Sequence, residues 1–71
     1  MNRINPRKLL LSKWTAANPC GREKHFIVSR VVDDANGNPE TCELEAVYSK
    51  RIQELHWREL RDSDHWRQGW L

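Results

Sequence analysis

The segment at residues 25–48, HFIVSRVVDDANGNPETCELEAVY, decides the fold. Two apolar-rich runs, residues 26–32 and 41–48, flank the turn-forming Asp34-Ala35-Asn36-Gly37-Asn38-Pro39, which is the pattern of a β-hairpin. Side chains alternate across a strand, so Phe26, Val28, Arg30 and Val32 share one face of the first run. Cys42, Leu44, Ala46 and Tyr48 share one face of the second. The loop decides whether these faces coincide. A three-residue loop, Ala35-Asn36-Gly37 with Gly in the left-handed position, sets Phe26 opposite Ala46 and Val28 opposite Leu44. A two-residue Asn36-Gly37 turn shifts the pairing by one, sets Arg30 opposite Glu43 and separates those apolar residues. Burying several large side chains at about 1.5–3 kcal/mol each outweighs one exposed ion pair at about 0–1 kcal/mol. The first register is therefore predicted.

Outward from the hairpin toward the N-terminus, residues 1–5 read as a flexible lead, and Asn5-Pro6 as the start of a short helical turn, with Asn as N-cap and Pro at the first helical position. Leu9-Leu10-Leu11 is too apolar for one surface stripe and is expected to plug an end of the core. Lys13-Trp14-Thr15-Ala16 reads as a short strand, ended by a turn at Asn18-Pro19-Cys20-Gly21. Toward the C-terminus, residues 52–60 fit both strand alternation (Gln53, Leu55, Trp57) and helical spacing (Ile52, Leu55, His56, Glu59, Leu60). A two-stranded sheet is barely stable alone and Ser49-Lys50-Arg51 suits a returning antiparallel neighbour, so a third strand through about Trp57 is predicted. Asp62 or Ser63 then caps a helical turn across residues 64–67, and Gly69 reverses the chain so that Trp70 docks.

The chain of 71 residues has room for one small domain, residues 1–71, of marginal burial. Two cysteines and no leading apolar segment point to a reducing, cytoplasmic setting rather than a disulfide scaffold, and no run reaches membrane-spanning length. Four tryptophans, Trp14, Trp57, Trp66 and Trp70, lie outside the hairpin and are expected to fold over its apolar face as the missing core. The expected fold is thus α+β or mainly β: a twisted antiparallel sheet of three to four strands, curling toward an SH3-like barrel. A short N-terminal helical turn and a Trp-rich C-terminal segment complete it.

The net charge of +2 is unevenly spread: residues 1–24 carry about +5, residues 25–48 about −4, and the remainder is nearly balanced. A basic arm beside an acidic hairpin predicts self-complementarity, within one copy or between two.

Six blocks of the sequence also carry a resemblance. They are Asn5-Pro6-Arg7-Lys8-Leu9-Leu10, Ser12-Lys13-Trp14-Thr15-Ala16, Lys24-His25-Phe26, Cys42-x-Leu44-Glu45-Ala46-Val47, Trp57-Arg58-Glu59-Leu60 and Trp66-x-x-Gly69-Trp70. In that order, around all four tryptophans, they resemble a small bacterial tryptophan-rich family of unknown function. The resemblance implies a cytosolic bacterial protein and brings no activity, cofactor or partner with it.

The residues themselves supply the functional candidates. Lys13-Trp14, Trp57-Arg58 and Trp66-Arg67, with Trp70, place aromatic rings beside cations, as in surfaces that stack nucleic-acid bases and meet phosphates. The competing reading makes these rings core. Glu43 and Glu45 form an acidic face suited to a basic protein segment. Cys20, His25, Cys42, His56 and His65 supply zinc-type donors without a local chelating pair, so no metal site and no cofactor is expected. Neither Cys20 with His25 nor Asp62 with Asp64 makes a convincing catalytic set, and no small-molecule substrate is expected. The resulting expectation is a non-enzymatic protein-interaction or self-associating module, with weak RNA binding as the alternative, a structural zinc module as a remote one, and no membrane partner.

Overall fold

The computed structural model describes residues 1–71 and is mainly β. Its five strands are β1 (Lys13–Cys20), β2 (Glu23–Asp33), β3 (Pro39–Ala46), β4 (Ile52–His56) and β5 (Trp66–Gln68). All pairings are antiparallel, in the order β4-β3-β2-β1-β5. Helical structure is limited to two 3-10 turns, Pro6–Lys8 and Trp57–Arg61. No helix is long and apolar enough to cross a membrane.

The sheet has five strands rather than three or four, and the additional one is β5. The Asp62 carbonyl accepts from the backbone N–H of both His65 and Trp66, and its carboxylate accepts from Asp64 N at 2.9 Å. This tight turn reverses the chain and delivers Trp66–Gln68 to β1, where Ala16 faces Trp66 and Trp14 faces Gln68. The helical turn expected across residues 64–67 is replaced by that strand. Helical geometry occurs earlier instead, so both periodicities of residues 52–60 are used in succession. Ile52–His56 is the strand and Trp57–Arg61 the 3-10 turn.

A capping box sets the boundary between them. His56 Nδ1 accepts from Arg58 N at 3.1 Å, and the Glu59 carboxylate accepts from His56 N at 3.1 Å. Two backbone donors that a turn start leaves unpaired are thereby satisfied. An accepting Nδ1 also places the ring proton of His56 on Nε2.

The central hairpin has the predicted loop. Asp34 O accepts from Gly37 N at 3.1 Å, Asp34 N donates to Asn38 O at 2.7 Å, and Gly37 holds φ +80 in the left-handed region. Phe26 faces Ala46 and Val28 faces Leu44, as the three-residue loop requires. Between loop and core, however, the register slips by one residue and slips back. Irregularities between Val28 and Arg30 and between Val32 and Asp33 set Arg30 opposite Glu43 and Val31 opposite Cys42. Each β-bulge inserts one residue, the first in β2 and the second in β3, so the two compensate. Val31, not Arg30, therefore lies on the packed face, and the expected sharing of that face by Arg30 and Val32 does not hold.

The core comprises Leu9, Trp14, Phe26, Val28, Cys42, Leu44, Ala46 and Leu60, flanked by Ile4, Ala16, Val31, Leu55, Trp57 and Trp66. Trp66 meets Phe26 edge to face, with centroids 5.2 Å apart. The second 3-10 turn delivers Leu60 to this core. From the N-terminal side only Leu9 of the three leucines is buried, while Leu10 and Leu11 are exposed. Asn5 caps the first turn by accepting from Arg7 N at 3.0 Å, with Pro6 at its first position, as expected. Residues 1–5, expected to be a flexible lead, run beside the second turn and β5: Asn2 donates to Leu60 O and Trp66 O, and Gln68 donates to Arg3 O. Arg3 thus lies here, whereas Arg7 lines surface hollows together with Asp33, Asp34 and Glu40 of the acidic hairpin. β1 is longer than predicted, because Ala17 N donates to His65 O and the strand is carried past Pro19 to Cys20. The turn falls at Gly21-Arg22.

Candidate interaction groove

The sequence-derived aromatic and basic residues do not form one surface. Trp14 is 2% exposed, beside Phe26, with its ring N–H donating to Ser12 Oγ. Trp57 and Trp66 are half-buried against the same core. Trp70 lies on the opposite face of the sheet, so the four tryptophans do not all cover one side. Its ring N–H donates to Phe26 O at 2.9 Å, it stacks on His25 at 5.9 Å, and Lys13 Nζ stands 4.7 Å from its ring centre. Around it, residues 69–71 form a strap. Thr15 Oγ1 donates to Gly69 O and accepts from Leu71 N, and His25 Nε2 lies 3.0 Å from Leu71 O. Arg67, opposite Thr15, shares that side. Arg58 stands over Trp57 at 5.8 Å, at the other end of the molecule's second 3-10 turn.

The acidic pair is also divided in its surroundings. Glu43 lies 3.7 Å from Arg30, whereas Glu45 sits between Ile27 and Ile52 on the open face. Cys42 is in the core, and burial pushes its thiol up to about 11. Cys20 is exposed at the end of β1. No three His, Cys, Asp or Glu side chains come together as a metal-binding group.

The curl of the sheet creates a feature that local sequence does not announce. Although β2 and β3 separate β1 from β4 in strand order, both β1 and β4 line one groove of ≈ 560 Å³. Its apolar lining is Ala16, Cys20, Leu55 and Trp66, with Asn18 from β1 and Gln53 and Glu54 from β4. At the second 3-10 turn it is lined by Glu59, Asp62 and His65, and at the start of β4 by Arg51. The charges are unequal in effect. Arg51 is clamped by the Glu23 carboxylate through both Nε and a terminal nitrogen, with Ser49 as a further donor to Glu23. The guanidinium holds Glu23 down to about 2, so Arg51 is already neutralised.

Asp62 lies 2.7 Å from His65 Nδ1, and that bond together with the Asp64 N–H keeps its carboxyl below the usual range. Glu59 serves the capping box with one oxygen. The groove therefore combines an apolar floor with a carboxylate-rich end. Of its residues, the sequence alone marks only Trp66 as a binding residue. Asp62-x-x-His65 and His56-x-x-Glu59 are the local signals that mark the ends of the second turn.

Comparison with curated proteins and with solved structures finds no match. The model of a tryptophan-rich protein family matches residues 12–71, from the serine before β1 through β5 and the C-terminal strap. The chain belongs to the tryptophan-rich protein family DUF2389, a family of unknown function.

Proposed function

We propose that the chain is a non-enzymatic interaction module whose groove between β1 and β4 receives a basic polypeptide segment carrying apolar side chains. The observation that carries this reading is the pairing of an apolar floor, Ala16, Leu55 and Trp66, with the carboxylates Glu59 and Asp62 in one groove. Apolar anchors supply affinity by leaving water, and opposed charges supply orientation and encounter rate. A sheet curled until β1 and β4 face across a groove, with β5 returning to β1, also supports the reading of a partly open SH3-like barrel.

The test is titration of a fluorescent lysine/leucine peptide, followed by anisotropy at low and high salt. Binding weakened by salt and by Glu59→Gln with Asp62→Asn is expected. Both substitutions keep an acceptor for the cap and the turn while removing charge. Equal binding of an aspartate/leucine control peptide, or no binding at all, would overturn the proposal.

A further inference from the structure

Residues 9–12 link the first 3-10 turn to β1 as a loop whose leucines divide between core and solvent. Leu9 anchors it in the core, while the adjacent Leu10 and Leu11 are 56% and 64% exposed. The loop is nevertheless fixed: Leu11 N donates to Val28 O at 2.8 Å and Ser12 N to Leu9 O at 3.0 Å. Leu11 holds φ 66, a left-handed conformation that L side chains other than Asn and Asp rarely adopt. A leucine kept there and turned to solvent is a display rather than a packing solution, and such strain gathers at functional sites. Exposed Arg7, Lys8 and Lys13 flank the pair.

This loop has the chemistry that the groove lacks. It is flanked by cations and carries two adjacent leucines, whereas the groove is carboxylate-rich over an apolar floor. One copy does not present both at the same place. Leu10 lies beside Asp33 and Gly37 at the hairpin tip, where β2 ends, whereas Arg51 of the groove is clamped to Glu23 at the start of β2. We propose that the groove's occupant is this loop from a second copy of the chain. The inference rests on the reading of the groove as a site for a basic, apolar segment. Because the two patches differ and lie apart, two copies either exchange loops reciprocally as a two-fold dimer or add head to tail into rings or open chains.

Complementary variants test this directly. Leu10→Ser with Leu11→Asn removes the display and relieves the left-handed leucine, so thermal stability is expected to hold or rise. Glu59→Gln with Asp62→Asn weakens the groove. In sedimentation velocity the wild type is expected to associate with rising concentration, to a dimer or beyond, and each double variant alone to associate about tenfold more weakly. An equimolar mixture of the two variants leaves one intact loop and one intact groove, and is expected to form a one-to-one complex and nothing larger. A wild type that stays monomeric, a mixture that stays monomeric, or association that survives both variants would overturn the proposal. If the lysine/leucine peptide still binds a monomeric wild type, the second-copy inference alone falls. If the peptide fails as well, the groove reading falls with it.

Discussion

On the packed face of the sheet Trp14 is 2% exposed, lies opposite Phe26 and hands its ring N–H to Ser12. On the other face Trp70 is 43% exposed and is held by Phe26 O, His25, Lys13 and the hydroxyl-bonded strap over Thr15. The same residue type thus does two jobs. Trp14 shares its face with seven other buried side chains, so its indole is part of the structure's apolar interior. Trp70 sits in the strap whose Gly69 and Leu71 bond Thr15, the one polar residue among those buried, and is itself held by single contacts to Phe26 O, His25 and Lys13. The composition of a small tryptophan-rich domain is therefore no measure of its core. Position relative to the two faces decides what each ring contributes.

That contrast is broken most severely by Trp14→Ala, expected to cost about 3–5 kcal/mol, which is comparable to the whole stability a domain of this size draws from its core. Urea unfolding followed by far-ultraviolet circular dichroism should show the variant largely unfolded without denaturant. Trp70→Ala, by contrast, loses a cation–π contact and a hydrogen bond, together about 1–2 kcal/mol, and should remain folded. Thr15→Val keeps the side-chain shape while removing both hydroxyl bonds, so it should loosen residues 69–71 toward carboxypeptidase at a similar or smaller cost. Equal losses from Trp14→Ala and Trp70→Ala would mean that the two faces are not energetically distinct.

The clasp Glu23–Arg51 ties the start of β2 to the start of β4 and gives the edge of this comparison a pH signature. The folded-state value of Glu23 is about 2 against an ordinary 4.5, depressed by Arg51 first and Ser49 second. A depressed carboxyl contributes its full stability above the ordinary value and loses it as the pH falls through the folded one. Thermal midpoints should therefore decline between pH about 4.5 and about 2, and Glu23→Gln should flatten that part of the curve. An unchanged slope in the variant would assign the acid sensitivity elsewhere, with Asp62 beside His65 the next carboxyl to examine.

The packed face was far more legible than the groove. Phe26, Val28, Leu44 and Ala46 alternate cleanly and Gly37 marks the loop, so the pairing nearest the core follows from local rules. The bulges do not, because choosing Val31 over Arg30 for the packed face depends on Cys42 across the strand and on what lies above it. Three residues of β5 carry no periodicity of their own, and they become a strand only by meeting β1. The groove was hidden for a related reason. Ala16, Cys20, Leu55, Asp62 and Trp66 become neighbours through the curl of the sheet, a property of the assembled strands and not of any one stretch.

The smallest expected effect lies on the open face and asks what holds the slipped register. Arg30 and Glu43 are opposite each other only because of the two bulges, and they stand 3.7 Å apart with the arginine side chain 70% exposed. An exposed pair of this kind contributes about 0–1 kcal/mol, less at high salt, so a double-mutant cycle of Arg30→Ala and Glu43→Ala should find little coupling. Burial of Val31 against Cys42 offers more than that, which makes the valine the reason for the bulge and the ion pair its by-product. Amide spectra of Arg30→Ala should accordingly keep the cross-strand contact between residues 31 and 42, whereas Val31→Ser should weaken or lose it. Loss of that contact in Arg30→Ala alone would reverse the order of cause and give the open face a part in setting the sheet.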